Sequence, residues 1–257
     1  VPRSLLDQLP ALEMISVFGV GYDGYDLAAI KERGIALTNT PDVLTDDVAD
    51  MGMVLMLSIS RRIPQADRFV RDGLWPQGPM PLARKVSGAR LGIVGLGRIG
   101  QAIARRAEGF GMSISYTTRT PRTDVPYAYF PNPVALAAQV DFRMVITPGG
   151  AVTKGLINAE VLAALGHKGY LINVARGSVV DQDALIRALD ESVIAGAALD
   201  VYADEPNVPQ SLRERDNVVL TPHAASATWQ TRQAMADLAF ANLQAHFAGQ
   251  PLLTRVV

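Results

Sequence analysis

Short apolar runs alternate with longer segments of mixed polarity along most of the chain. Alternating strand and helix patterns of this kind predict a parallel, doubly wound α/β sheet. We predict nine strands, over residues 14–18, 35–38, 91–95, 113–117, 128–130, 142–147, 170–174, 195–201 and 217–221. Arg143 interrupts one of these runs, although a buried parallel strand ordinarily carries apolar residues. The hydrophobic pattern leaves two explanations for Arg143, a position at the end of the strand or an error in the sequence.

Polar residues that favour helix starts precede several of the intervening segments. Asn132, Asn158 and Asp181 each stand directly before a periodic apolar stretch and predict N-caps. Pro133 suits the first helical position, and Gly166 suits a helix end. The helices that these residues delimit are predicted over 134–139, 159–165 and 182–189.

Two longer helices are predicted outside this alternation, from about residue 46 to beyond residue 56 and over 227–248. The first is apolar on nearly all sides, which indicates burial between domains or subunits. Its methionines favour a core or interface over a cofactor-binding role. The Pro- and Gly-rich connection 73–81 is predicted to be irregular and exposed, and such an arm could contact a second subunit.

The strand predicted over 91–95 ends in the pattern G-x-G-x-x-G and continues directly into a predicted helix. Gly95 permits a tight turn, Gly97 lets the backbone approach a pyrophosphate, and Gly100 allows close packing of helix and strand. The helix N-terminus also offers free N–H groups to an anion. An ordinary glycine-rich turn is the alternative, but the strand before it and the helix after it favour dinucleotide binding.

The composition excludes several classes of function. A net charge of −1 among 257 residues gives no electrostatic basis for binding nucleic acid or an anionic membrane. No apolar run approaches the roughly 20 residues of a membrane span. The chain has no cysteine, and its three histidines lack metal-ligand spacing. A cytoplasmic location is the simplest prediction. The chain begins at Val1 without an initiator Met, so we expect a further segment upstream.

Polar residues follow three of the predicted strands at the carboxyl edge of the sheet, where ligands of α/β sheets bind. Arg176, Asp200, Glu205 and His223 are therefore expected to lie together. Taken singly, each also fits a solvated loop or turn residue. Their convergence on one edge favours a shared site.

The types of these residues suit hydride addition to the carbonyl of a 2-oxo acid. His223 can donate the proton that the developing alkoxide requires near neutral pH. Glu205 can fix the tautomer of His223 and favour its protonated ring. Arg176 offers a bidentate partner for the substrate carboxylate, and Asp200 is placed to orient the nicotinamide or its carboxamide.

Six segments in combination carry a family resemblance: GVGYDGYD (19–26), TPDVLTDDVADMGMVLML (40–57), GIVGLGRIG (92–100), INVARGSVVD (172–181), ALDVYADEP (198–206) and TPHAASAT (221–228). The chain resembles the D-isomer-specific 2-hydroxyacid dehydrogenases, most closely their glyoxylate/hydroxypyruvate reductase branch. The resemblance implies that Arg176 binds substrate and that Glu205 and His223 serve the acid/base step. It also implies that the backbone N–H groups of Val20 and Gly21 bind the substrate carboxylate. Ser226 would either touch substrate or cap the last helix.

The expected cofactor is NADP(H), with NAD(H) as the alternative. An NAD site ordinarily has an acidic residue at the end of the second strand, about 20 residues after the glycine turn. Thr117, Thr118 and Arg119 stand there instead, and hydroxyls with a guanidinium suit a 2′-phosphate. Arg119 could equally be a solvated loop residue. The full set expected to contact the cofactor is Gly95, Gly97, Arg98, Ile99, Gly100, Thr117, Thr118, Arg119, Thr147, Pro148, Val174, Asp200, His223 and Ala225.

The resemblance further implies two domains and a homodimer. A Rossmann-type dinucleotide-binding domain is expected over residues 42–226. A discontinuous, flavodoxin-like substrate domain is expected over 1–41 and 227–257, incomplete because family members carry a further half-domain before the GVG loop.

The expected activity is NADPH-dependent reduction of small 2-oxo acids, glyoxylate and hydroxypyruvate first. A 3-phosphoglycerate dehydrogenase and a non-catalytic, cofactor-sensing corepressor are the alternatives. A formate dehydrogenase is disfavoured because glutamine would be expected at Glu205.

Overall fold

The computed structural model describes all residues from 1 to 257. Contacts divide the chain into a discontinuous unit, Val1–Asp47 with Ser226–Val257, and a contiguous unit, Val48–Ala225. The boundaries predicted from the sequence were 41/42 and 226/227. Assignment of substrate to the first unit and of cofactor to the second stays a prediction.

The secondary structure consists of nine strands and ten α-helices. The strands are β1 (Met14–Ser16), β2 (Ala36–Thr38), β3 (Arg90–Val94), β4 (Ser113–Thr117), β5 (Ala128–Tyr129), β6 (Phe142–Val145), β7 (Tyr170–Asn173), β8 (Gly196–Leu199) and β9 (Val218–Leu220). The helices are α1 (Arg3–Leu6), α2 (Leu27–Glu32), α3 (Thr45–Arg61), α4 (Ile63–Arg71), α5 (Arg98–Glu108), α6 (Pro133–Ala137), α7 (Ala159–Leu165), α8 (Gln182–Asp190), α9 (Gln210–Arg213) and α10 (Trp229–Phe247). Short 3₁₀ helices occupy Trp75–Gln77 and Gly177–Val179.

The contiguous unit contains a fully parallel sheet of seven strands in the order β5-β4-β3-β6-β7-β8-β9. This confirms the predicted doubly wound architecture. The chain reverses its winding direction between β3 and β6, and such a switch point opens a crevice at the carboxyl ends of the strands. The glycine turn follows β3 and therefore lies at this crevice. None of the helices is long and apolar enough to span a membrane.

The discontinuous unit is built on a parallel pair, β1 and β2. Residues close to the C-terminus hold it together. The Ser16 hydroxyl donates to the Ala239 carbonyl of α10 at 3.2 Å, and Thr38 forms a β-bridge with Arg255. The buried Asn242 side chain accepts the Leu253 N–H at 3.0 Å and so fixes the tail to α10. A flavodoxin-like fold for this unit stays a prediction.

The three predicted N-caps are confirmed. The side chains of Asn132, Asn158 and Asp181 accept backbone N–H groups three residues later, at 2.8, 3.1 and 2.9 Å. The prediction that Ser226 caps the last helix is wrong. That helix begins at Trp229, and its N-cap is Thr228, whose hydroxyl accepts the Thr231 N–H at 3.2 Å.

Thr228 also donates to Asp47 at 2.5 Å, so its hydroxyl is fixed at the start of the helix. Ser and Thr can both cap a helix, with Ser slightly preferred, and the contact with Asp47 favours Thr228 here. The sequence pattern alone therefore could not choose between Ser226 and Thr228.

Arg143 lies inside β6 rather than at its end, paired with Gly92 on one side and Leu171 on the other. Its side chain is completely buried. One terminal nitrogen donates to the Pro133 carbonyl, whereas Nε and Nη1 have no partner. Burial lowers the pKa of the guanidinium to about 9. A buried charge with two unpaired donors is destabilising.

Replacing Arg143 with methionine is therefore expected to raise the free energy of unfolding by about 1–4 kcal/mol. Urea denaturation at neutral pH, with an unchanged m-value, measures this gain. Because the folded-state pKa lies below the ordinary value, the original protein should become more stable as the pH rises above about 9, and Arg143→Met should lack that rise. A variant less stable than the original would contradict the expectation.

Candidate active site

A hydrogen-bonded carboxylate–imidazole pair lies beyond the carboxyl ends of β8 and β9. The Nδ1 atom of His223 is 2.7 Å from Oε2 of Glu205. Both side chains are partly open, with 48% of His223 and 34% of Glu205 exposed. An ionised carboxylate only accepts, so Nδ1 carries the proton of this bond and Nε2 is the atom free for proton exchange.

The Glu205 carboxylate is held by both of its oxygens. Oε1 accepts the Tyr202 backbone N–H at 3.0 Å, while Oε2 takes the imidazole. The Tyr202 hydroxyl lies 2.8 Å from the Thr221 carbonyl and 3.2 Å from the Leu199 carbonyl. Burial raises the pKa of Tyr202 to about 12, so the phenol remains a donor. Tyr202 thereby joins the ends of β8 and β9, a role that the sequence did not reveal.

Asp200 holds the segment that carries His223. Its carboxylate is completely buried and accepts the Thr221 hydroxyl at 2.6 Å and the backbone N–H groups of Ala224 and Ala225 at 2.8 and 3.0 Å. The His223 N–H donates to the Asp200 carbonyl at 2.8 Å. These bonds keep His223 in a left-handed conformation with φ of 50°, which is unfavourable for a residue with a side chain. The predicted contacts of Asp200 and Ala225 with a cofactor stay predictions.

Arg176 begins the turn that follows β7. The side chain of Asn173 brackets this turn, accepting the Ala175 N–H and donating to the Arg176 carbonyl, each at 3.1 Å. The next residue, Gly177, packs against the backbone of the segment that follows β8. The approach is so close that a Cβ at Gly177 would overlap the carbonyl of Tyr202. The turn of Arg176 is thus in direct contact with the segment that leads to Glu205.

The glycine turn matches the requirements of a dinucleotide site. Gly95 has a φ of 98°, and a Cβ there would lie 2.9 Å from backbone atoms of Thr147. Gly97 is the N-cap of α5 and faces open space, so a phosphate could approach its backbone. A Cβ at Gly100 would overlap the Gly95 carbonyl, so Gly100 lets the first turn of α5 approach the end of β3. Arg98 is exposed and Ile99 is half-buried on the first turn of α5.

The remaining residues expected at the cofactor site lie at the same edge of the sheet. Thr147 and Pro148 follow β6, and Val174 follows β7. Thr117 ends β4, is buried, and accepts the Gly95 N–H through its carbonyl at 3.0 Å. The Thr118 hydroxyl donates to the Thr120 carbonyl at 2.6 Å.

The two arginines after β4 have different surroundings. Arg119 is exposed, and no hydrogen bond or ion pair to it is seen within the chain. Arg122 pairs with Asp124, with its Nε 2.9 Å from Oδ1, and donates to the Leu96 carbonyl at 3.3 Å. Arg122 therefore ties its loop to the glycine turn, whereas Arg119 is available to a ligand.

Val20, Gly21 and Ser226 belong to the discontinuous unit. The Val20 carbonyl accepts the side-chain amide of Asn39 at 2.9 Å, which anchors the GVG loop. The backbone N–H groups of Val20 and Gly21 donate to no carbonyl of the chain. Binding of substrate by these three residues stays a prediction.

The chain is similar to known proteins in sequence and in fold. Residues 53–225 match the family described as D-isomer specific 2-hydroxyacid dehydrogenase, NAD binding domain. The chain is 51% identical to glyoxylate/hydroxypyruvate reductase A HPR2 of Arabidopsis thaliana, over 98% of the chain and 81% of that protein. It is 44% identical to 2-ketogluconate reductase of Gluconobacter oxydans, over 100% of the chain and 83% of that protein.

A solved structure shows the same fold. It is the NADPH-dependent glyoxylate/hydroxypyruvate reductase of Sinorhizobium meliloti in complex with NADP and malonate, 51% identical in sequence. The TM-score is 0.97, with 100% of this chain and 81% of that chain covered. The parallel sheet with its glycine turn is thus a Rossmann-type domain, as predicted. The chain belongs to the D-isomer-specific 2-hydroxyacid dehydrogenase family.

Proposed function

We propose that this protein reduces small 2-oxo acids, glyoxylate and hydroxypyruvate first, to 2-hydroxy acids with NADPH, and that chiral products have the D configuration. The observation that carries this proposal is the 2.7 Å bond between His223 and Glu205, at the sheet edge that also holds the turn of Arg176. Relatives named glyoxylate/hydroxypyruvate reductase support the choice of substrates.

Each residue of the site has a distinct task in this reaction. The nicotinamide, when bound, supplies the hydride to the carbonyl carbon. Arg176 holds the substrate carboxylate. Binding of substrate by Val20, Gly21 and Ser226 stays a prediction from the family resemblance. His223 gives its Nε2 proton to the carbonyl oxygen as negative charge develops there, and Glu205 stabilises the imidazolium beforehand. Because His223 is half exposed, solvent can restore the proton.

The test is oxidation of NADPH by the purified protein with glyoxylate, hydroxypyruvate and pyruvate, followed by the loss of NADPH absorbance. We expect turnover that depends on both components and is fastest with the first two acids. Absence of turnover with every 2-oxo acid, while NADPH still binds, would contradict an enzymatic role and favour a cofactor-sensing protein.

Preference for NADPH over NADH is expected to depend on Arg119. The guanidinium lies exposed just after Thr117 and Thr118, where no carboxylate is present to bind the 2′-hydroxyl of NAD. Replacing Arg119 with alanine should lower kcat/KM for NADPH by about 10–100-fold, because a charge-assisted contact to the 2′-phosphate is lost. The value for NADH should change by no more than about twofold.

Steady-state kinetics with both cofactors measure this difference. Arg122→Ala is the matched control, since Arg122 is bonded to Asp124 and Leu96, and its loss should affect both cofactors alike. Equal decreases in kcat/KM for NADPH and NADH in Arg119→Ala would show that Arg119 does not bind the 2′-phosphate.

We also propose a homodimer located in the cytoplasm. Three large apolar side chains are exposed in this part of the chain. Val54 lies on α3, Trp75 lies within the connection 73–81 and is 68% exposed, and Leu82 directly follows that connection. Exposed apolar side chains that combine into one patch are typical of an interface. Sedimentation at micromolar concentration should show a species of twice the chain mass, and a monomer would contradict the proposal.

A further inference from the structure

A cavity of about 290 Å³ lies beside the Glu205–His223 pair in the contiguous unit. Both members of the pair line it, together with the end of β9 and the segment between β8 and α9. Arg176 is not among its lining residues. The cavity therefore opens from the pair on a flank that Arg176 does not occupy.

The walls of this cavity suit a short carbon chain. Val208, Leu220 and Pro222 contribute apolar surface, and the volume corresponds to about ten molecules of liquid water. A pocket of this size exceeds what glyoxylate needs, because glyoxylate has no carbon beyond its carbonyl. Space next to the proton donor is therefore left for a longer substituent.

Arg213 gives the cavity a positive charge. It is the last residue of α9 and lines the cavity, and its guanidinium makes no hydrogen bond or ion pair within the chain. The wall contains two other charged groups, the Glu205 carboxylate and a protonated His223, whose opposite charges cancel. Glu214, which follows Arg213, accepts the side-chain amide of Gln210 at 2.5 Å. A second anionic group entering the cavity would thus meet one uncompensated cation.

We propose that this cavity receives the tail of 2-oxo acids that carry a second carboxylate, and that Arg213 is the specificity-determining residue that binds it. This rests on the proposed function. The 1-carboxylate would lie at Arg176 and the carbonyl oxygen at His223, so the remaining substituent of the carbonyl carbon points toward the cavity. The Arg213 guanidinium can bind the distal carboxylate through two charge-assisted hydrogen bonds.

The test compares two five-carbon substrates that differ only at the distal end, 2-oxoglutarate with a carboxylate and 2-oxopentanoate with a methyl group. The unaltered protein should have the higher kcat/KM for 2-oxoglutarate, mainly through a lower KM. In Arg213→Met, which keeps the stem but not the charge, the ratio of the two kcat/KM values should fall at least about tenfold. Arg213→Lys should retain most of the ratio.

Arg187→Met is the matched control, because Arg187 is an exposed arginine on α8 that does not line the cavity. It should leave the ratio unchanged. An unaltered protein that does not favour 2-oxoglutarate, or a ratio that Arg213→Met leaves intact, would overturn the proposal. Turnover of glyoxylate by the unaltered protein reports separately on the proposed function. Binding of glutarate, followed by thermal shift in the unaltered protein and in Arg213→Met, tests the cavity without turnover.

Discussion

Replacement of His223 by alanine is expected to lower kcat for glyoxylate reduction by about 10²–10⁴-fold, because the carbonyl oxygen then loses its proton donor. The side chain extends into a half-exposed position and is bonded only through Nδ1 to Glu205. Its removal should therefore leave the fold intact and weaken NADPH binding only slightly, since His223 is one member of a large set of residues expected to contact the cofactor. Steady-state turnover and a fluorescence titration with NADPH measure the two effects separately.

Glu205→Gln is the matched variant for this prediction. Glutamine has one acceptor oxygen, so it can accept the Nδ1–H bond only by giving up the bond from the Tyr202 N–H. It also does not stabilise the imidazolium, and the loss in kcat should be about 10–10²-fold, smaller than in His223→Ala. Normal turnover in His223→Ala with NADPH bound would show that another group donates the proton. A larger loss in Glu205→Gln than in His223→Ala would assign the main role to the carboxylate.

Replacement of Gly177 by alanine is expected to have the second-largest effect. The new Cβ would overlap the carbonyl of Tyr202, and that backbone cannot move without moving the N–H group that holds Glu205. We expect kcat/KM to fall about 10²-fold, since a displacement of catalytic groups by about 1 Å has this magnitude. The free energy of unfolding should decrease by about 1–3 kcal/mol because the contact is overpacked.

Ser178→Ala is the control for Gly177→Ala, because Ser178 is the exposed neighbour in the same turn. It should change neither activity nor stability measurably. Urea denaturation and kinetics with glyoxylate report the two quantities. Gly177→Ala with full activity would mean that the segment from Tyr202 to Glu205 tolerates displacement, and that its contact with the turn of Arg176 is not needed for catalysis.

The sequence was sufficient for the fold because buried parallel strands have a strong local signature. All nine strands lie within two residues of their predicted bounds. The end of a strand was less predictable, since the apolar run continues into loops that are themselves buried, as at Val174 and Val201. The topology rule then placed Arg176, Glu205 and His223 at one edge, and the predicted bond between Glu205 and His223 is present. Their catalytic roles remain predictions.

The features that the sequence did not reveal depend on contacts between distant residues. Nothing in the order of residues shows that Tyr202 reaches the Thr221 carbonyl or that Asp200 accepts two N–H groups beyond His223. The close approach at Gly177 likewise requires the packed crossover. For Arg143 the position in a strand was predicted correctly. Its complete burial is unexpected for a charged side chain, and no local sequence pattern explains why an arginine stands there.

The division of the chain also determines the order in which its parts can form during synthesis. The contiguous unit is complete once residue 225 has emerged, and it contains all seven strands of the larger sheet. The parallel pair of β1 and β2 precedes the contiguous unit in the chain, and two strands alone are at best marginally stable. Two of its supports, the Ala239 carbonyl and Arg255, are translated only after the contiguous unit. The parallel pair must therefore wait for segments made after the contiguous unit, and truncation before α10 would remove both supports while leaving the seven-stranded sheet complete.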